Sequence, residues 1–171
     1  MPHNAPKPLP DLAILNARYV YDPNTGLFTH KTSKGGVKIG SQAGGKCPDG
    51  YITLAINNSY YKAHRVAWYM HYKTEIPSDK ELDHINGVRT DNRICNLRLV
   101  TRSQNIQNLK KARSDSGTKI IGVYYRKSTG MYHARITVKG KQKHLGVFHS
   151  AEIASRVYLD AKRKLHTHGT L

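Results

Sequence analysis

Acidic side chains are scarce in this sequence. Asp and Glu number 11 against 28 Lys and Arg, a formal net charge of +17. An excess of that size does not belong to an ordinary soluble metabolic enzyme. It calls for a polyanionic partner, and nucleic acid is the simplest. Cysteine is nearly absent as well. Cys47 and Cys95 stand alone with no CxxC pair, which argues against a zinc ribbon or knuckle. Both are expected to be small buried hydrophobes in a reducing compartment. No apolar run reaches membrane-spanning length and no secretory segment follows Met1, so a soluble, cytoplasmic protein with no membrane partner is expected. Phe occurs twice against eleven Tyr, so most aromatic rings also carry a hydroxyl. With 171 residues the chain forms one domain or two small ones, each with a modest core.

The positive charge is uneven. Residues 1–109 hold 14 basic and 8 acidic side chains, net +6, whereas residues 110–171 hold 14 and 3, net +11. The C-terminal part is therefore expected to supply most of the electrostatic affinity. The expected division is an arm at 1–10, which holds four of the seven prolines, a first domain at 11–109, a basic linker at 110–118, and a second domain at 119–171.

The fold class reads as α+β. A short helix is expected over 11–18, then a hairpin of 19–21 and 27–29 around the Pro23-Asn24-Thr25-Gly26 turn. A second hairpin, 51–56 with 60–63, turns at Asn57-Asn58-Ser59. A helix from His64 to about Tyr72 follows, with Val66, Ala67, Met70 and Trp68 on its buried side. Glu81–His84 and Leu97–Val100 read as strands around a polar loop. Thr101 and Gln104 match a capping box, so a helix carrying Asn105 begins there. Beyond the linker, strands over 122–126, 132–138 and 142–148 precede a helix capped by Ser150. Its expected buried face is Ile153, Ala154, Val157, Ala161 and Leu165.

Chemistry concentrates at Asp83-His84. Asn96 follows twelve residues after His84, and Asn105 nine residues after that. Hydrolysing a phosphodiester needs an activated water, stabilisation of charge at phosphorus, and help for the leaving oxygen. Asp83 and Asn105 offer the oxygen ligands that Mg²⁺ prefers, and a neutral imidazole such as His84 accepts a proton near pH 7. On one extended strand, however, Asp83 and His84 point to opposite faces.

The segment from about Tyr51 to Asn108 resembles HNH endonucleases, particularly the phage and intron-associated homing type. The resemblance is carried by His64-Arg65-Val66-Ala67-Trp68, Asp83-His84-Ile85-Asn86-Gly87, Asp91-Asn92-Arg93, Asn96-Leu97-Arg98, Val100-Thr101 and Gln104-Asn105. It implies a ββα-metal fold over about 80–109 that cuts double-stranded DNA to 5′-phosphate and 3′-hydroxyl ends. It assigns His84 as general base, Asp83 and Asn105 as metal ligands, and Asn96 as a brace of the loop that helps position His84. Asn96 either takes part in the chemistry or only caps a turn. Asn105, where the family name places a His, points to Mg²⁺ or Mn²⁺ and away from zinc. Arg65 either begins a packed helix or holds a phosphate. His30, His71, His149, His166 and His168 show no partner in sequence and read as surface residues.

The segment from Lys119 to about Gly169 resembles the plant apetala/ethylene-response-factor DNA-binding domain, through Gly122-Val123-Tyr124-Tyr125-Arg126, Tyr132-His133-Ala134-Arg135-Ile136, Leu145-Gly146-Val147-Phe148 and Ser150-Ala151-Glu152. The resemblance places Tyr124, Arg126, Ser128, Arg135, Thr137, Gln142 and His144 toward the DNA major groove. Five of these positions depart from the Arg or Trp usual in the plant pattern, so the plant target does not carry over. The sheet either reads bases or only adds phosphate affinity. The expected function is a metal-dependent DNA endonuclease acting as a monomer or a homodimer, nicking one strand or cutting two. The alternatives are a non-catalytic DNA-binding regulator with a relict nuclease, or a basic RNA-binding protein.

Overall fold

The computed structural model describes residues 7–33, 35–109, 112 and 115–166. The chain divides into two compact units, 1–99 and 100–171. That division falls upstream of the stretch read as a linker, whose residues 110, 111, 113 and 114 lie outside the described residues.

The first unit begins with helix α1 (Leu12–Arg18), capped by the Asp11 carboxylate, which accepts from Ala13 N at 2.8 Å. Residues 7–10, expected as part of an arm, are held in place. Leu9 packs on the core, and the Lys7 carbonyl accepts from Arg65. Strands β1 (Tyr19–Tyr21), β2 (Phe28–His30) and β3 (Gln42–Ala43) form one antiparallel sheet. A second contains β4 (Gly45–Lys46), β5 (Ile52–Ile56) and β6 (Ser59–Lys62). The β5–β6 turn is the two-residue Asn57-Asn58, with φ of 48° and 58°, the left-handed pair a type I′ hairpin requires. Helix α2 (Ala63–Tyr72) follows and buries Ala63, His64, Val66 and Ala67, while Trp68 and Met70 are only partly covered. Leu15, Phe28, Leu54, Ile56, Val66 and Leu97 make the centre of this core. Phe28 is 2 % exposed, so truncation to Ala costs about 3–5 kcal/mol. Strands β7 (Glu81–His84) and β8 (Leu97–Val100) pair as a two-stranded sheet, with a 3₁₀ turn at Ile94–Asn96 between them.

The second unit opens with α3 (Arg102–Gln107). The Thr101 hydroxyl accepts from Gln104 N at 3.3 Å, and Gln104 Oε1 accepts from Thr101 N at 2.8 Å, which completes the expected capping box. Strands β9 (Val123–Arg126), β10 (Met131–Val138) and β11 (Lys141–Phe148) form an antiparallel sheet in the order β11-β10-β9. A register shift between Ala134 and Arg135 sets Ala134 opposite Gly146 and Arg135 opposite His144. Helix α4 (Ala151–Leu165), capped by Ser150, packs on Val123, Ala134 and Ile136.

Three expectations about burial are corrected here. The inner stripe of α4 is Ala154, Tyr158 and Lys162, at spacings of four, and Ile153 is 49 % exposed. Lys162 is tolerated inside because its ammonium donates to the Leu109 carbonyl. Tyr158 lies under Gly122, where an added Cβ would meet the Tyr158 ring at 2.0 Å. His166 is buried rather than on the surface, with Nε2 2.9 Å from the Thr137 carbonyl. Neither cysteine is fully buried: Cys47 is half-buried, and Cys95 is exposed because the 3₁₀ turn that carries it turns Asn96 inward instead. No described helix is long and apolar enough to cross a membrane.

Candidate active site

Asp83 and His84 end β7, and both are buried, at 9 % and 4 % exposure. The carboxylate faces β8, where its Oδ2 accepts from Arg98 Nε at 3.1 Å and from the adjacent terminal nitrogen at 3.0 Å. His84 Nε2 lies 3.2 Å from Asn92 Oδ1, and Asn92 is 2 % exposed. Asn92 therefore fixes the imidazole's orientation. Because Asn92 Oδ1 can only accept, the contact is a hydrogen bond when Nε2 carries a proton.

The loop between β7 and β8 is organised by Asn96. Its Oδ1 accepts from Asn86 N at 3.0 Å and its Nδ2 donates to the Asp91 carbonyl at 2.8 Å. Ile85 N donates to the Asn96 carbonyl at 2.9 Å. Asp91 accepts from Arg93 Nε at 2.8 Å and from Asn86 Nδ2 at 2.7 Å, and the Arg93 hydrogen bonds hold its carboxyl down at about 2. From outside, the first hairpin clamps the same loop. Tyr21 OH donates to the Asn92 carbonyl at 2.7 Å, and Ile94 N donates to the Pro23 carbonyl at 3.0 Å.

Behind His84 stand two more rings. The His64 centroid is 5.1 Å from that of His84 and 5.1 Å from that of Tyr51. Tyr51 is 5.9 Å from His84. His64 is buried, and its Nδ1 has no hydrogen-bond partner among the described residues. Burial, and then the proximity of His84, push the His64 imidazole down to about 3. Burial also lowers His84, while Asn92 and Asp83 pull in the opposite direction.

The position of His64 carries a stability prediction. A histidine that takes up its proton more readily unfolded than folded withdraws stability as pH falls. The thermal midpoint should be at its plateau above about 6.5 and should drop as pH falls from there toward about 3. His64→Phe, which keeps a ring beside Tyr51 and His84, should flatten that dependence. An unaltered pH profile of melting in the variant would contradict this account of His64.

Asn105 stands on α3, in the second unit. Arg65 NH1 donates to the Lys7 carbonyl at 2.9 Å. On the second unit's sheet, Arg126, Ser128, Arg135, Thr137, Gln142 and His144 are exposed and Tyr124 is partly covered. The Arg135 guanidinium sits 4.6 Å over the Tyr124 ring, and its NH1 reaches Gln142 Oε1 at 3.4 Å. His133, which the sequence reading gave no role, stacks on Tyr124 at 4.9 Å and lies 5.7 Å from His144. Tyr124, His133, Arg135 and His144 thus form one connected group. In the first unit Asn92, His64 and Tyr51 also meet His84. Asn92 and His64 fall in quoted motifs, but nothing in their spacing showed that they meet His84.

A family model described as HNH endonuclease matches residues 61–107, which spans β7, β8 and the whole loop between them. Protein 3.8 of Escherichia phage T7 is 32 % identical over 92 residues, 53 % of this chain and 74 % of the phage protein. Residues 61–107 thus carry an HNH endonuclease domain, and the chain has a phage relative. No solved structure matches the chain.

Proposed function

We propose that this protein is a metal-dependent DNA endonuclease of the phage and mobile-element kind, which hydrolyses phosphodiester bonds to 5′-phosphate and 3′-hydroxyl ends. The observation that carries the reading is His84, buried beside Asp83 and oriented by Asn92 within the matched family segment. His84 accepts the proton of the attacking water through its imidazole. Asn92 keeps the ring aligned. Asn96 ties the two sides of the loop together, so that the ring does not drift from the phosphate.

The donor chemistry fits a hard divalent ion. Among the described residues no group of three or more His, Cys, Asp or Glu side chains stands together. Asp83 and Asn105 are oxygen donors, the type that Mg²⁺ or Mn²⁺ takes when waters and substrate phosphates complete the shell. Asp83 would hold the ion. The assignment of Asn105 as a second oxygen donor rests on its place in the motif. When bound, the ion offsets the charge developing on phosphorus and on the leaving oxygen. Chelation should abolish cleavage of supercoiled plasmid, and added Mg²⁺ or Mn²⁺ should restore it. Cleavage that persists in excess chelator would overturn the metal dependence.

In the same reading the second unit's sheet binds duplex DNA in the major groove, with Tyr124, Arg126, Ser128, Arg135, Thr137, Gln142 and His144 as the contacting set. Its support is the exposed, basic and hydrogen-bonding character of that face. Arg126→Gln with Arg135→Gln should reduce the slope of log affinity against log salt by about 2. A slope equal to wild type, measured by fluorescence anisotropy, would remove the sheet from the DNA interface.

A further inference from the structure

Next to His84 lies a group of charges that the proposed mechanism does not use. The Arg89 guanidinium is 4.9 Å from the centroid of Tyr51, and the Lys62 ammonium is 5.0 Å from the same centroid. Tyr51 in turn touches His64 and His84. Arg89 belongs to the loop between β7 and β8, and Lys62 to the end of β6. Two distant segments thus bring cations to one ring.

Neither cation is consumed by the fold. Arg89 is exposed, and one of its five N–H donors goes to the Asp49 carbonyl at 2.6 Å. Lys62 pairs with the Asp49 carboxylate, which is itself 50 % exposed and exchanges readily for another anion. An exposed pair of this kind contributes little stability. It leaves one anionic side chain between two cations on an aromatic platform.

We propose that Arg89 and Lys62, set against the ring of Tyr51, form a binding site for a backbone phosphate of the DNA strand being cut, next to the scissile bond. The inference rests on the endonuclease reading, because it takes His84 as the reacting centre. Tyr51 holds both cations near the imidazole, so a phosphate bound there fixes how the neighbouring bond approaches His84. Asp49 occupies the site in the free protein and yields to the incoming phosphate.

The test uses the full chain and a short fluorescein-labelled DNA duplex of arbitrary sequence. Each cation removed should lower the ratio of affinities at 50 and 200 mM salt by about threefold. Arg89→Gln and Lys62→Gln should each do this, and Arg89→Lys should restore most of it. Both variants should raise KM for plasmid cleavage more than they lower kcat. Lys38→Gln, an exposed cation elsewhere in the same unit, provides the comparison for bulk charge. Asp49→Asn should tighten binding more than Asp79→Asn does, because only Asp49 competes with the phosphate. If Arg89→Gln and Lys62→Gln match Lys38→Gln in salt dependence, or if Asp49→Asn matches Asp79→Asn, the site is not a phosphate site. Because these comparisons read binding alone, they decide the proposal even if the wild-type chain fails to cut DNA, a result that would overturn only the endonuclease reading.

Discussion

His84→Ala is expected to lower single-turnover cleavage of DNA by about 10²–10⁴-fold while duplex affinity stays close to that of wild type. The expectation follows from separate locations. His84 is buried at the end of β7. Half of the chain's 28 basic side chains, 14 of them, belong to another part of the sequence, residues 110–171. Removing the imidazole therefore takes away a proton acceptor without removing a phosphate contact. His84 also packs against His64 and Tyr51, so the alanine leaves a void. His84→Gln fills most of that void and should be equally inactive. A glutamine variant that folds and cuts at the wild-type rate would exclude His84 as the base.

Gly26→Ala should cripple the same reaction from 58 positions away. Gly26 turns the first hairpin with φ of +74°, and a Cβ there would lie 2.4 Å from Arg93 N and 2.6 Å from Asn92 C. Both contacts are backbone, so no side-chain rotation relieves them. The loop must move, and with it Asn92, whose Oδ1 orients His84. A misplacement of about 1 Å at a reacting group can cost about 10²-fold in rate. Cleavage should fall by that order and the thermal midpoint should drop. Gly35→Ala is the matched comparison. Its φ is +61°, yet nothing lies within 4 Å of the added Cβ. It carries the conformational cost of a left-handed alanine without the clash, and its activity should stay near wild type. Equal activity in the two variants would mean that the hairpin does not brace the site.

The local parts of this molecule were legible because local chemistry determines them. Asn57-Asn58 specifies its turn, Thr101 and Gln104 specify the start of α3, and Ser150 specifies the start of α4. The Asp83-His84 pair stood out by residue type, and both residues are found buried at the end of one strand. What was not legible depends on which segments meet. His64 precedes His84 by twenty residues and looked like the opening of a packed helix, which it also is. Only the folded chain sets its ring against His84. Asn92 sat in a polar loop among other carboxamides, and nothing local marked it as the partner of the imidazole. The inner face of α4 was misjudged for a related reason. Hydropathy favoured Ile153 over Tyr158 and Lys162, but the helix sits where Gly122 leaves room for the Tyr158 ring and where Lys162 finds the Leu109 carbonyl.

The loop that Asn96 organises also explains how a core this small holds His84 in place. Its backbone is tied by Asn86, Asp91 and Asn96 from within and by Tyr21 and Pro23 from the first hairpin. The ring of His84 is thus held by its neighbours on several sides.

The most direct measurement is incubation of supercoiled plasmid with the full wild-type chain and Mg²⁺, followed by treatment of the product with DNA ligase. A metal-dependent hydrolase that leaves 5′-phosphate and 3′-hydroxyl ends will convert plasmid to nicked or linear forms, and ligase will reseal the nicks. Plasmid left intact under every divalent ion, or cut ends that ligase cannot reseal, would contradict the assignment of this site to phosphodiester hydrolysis.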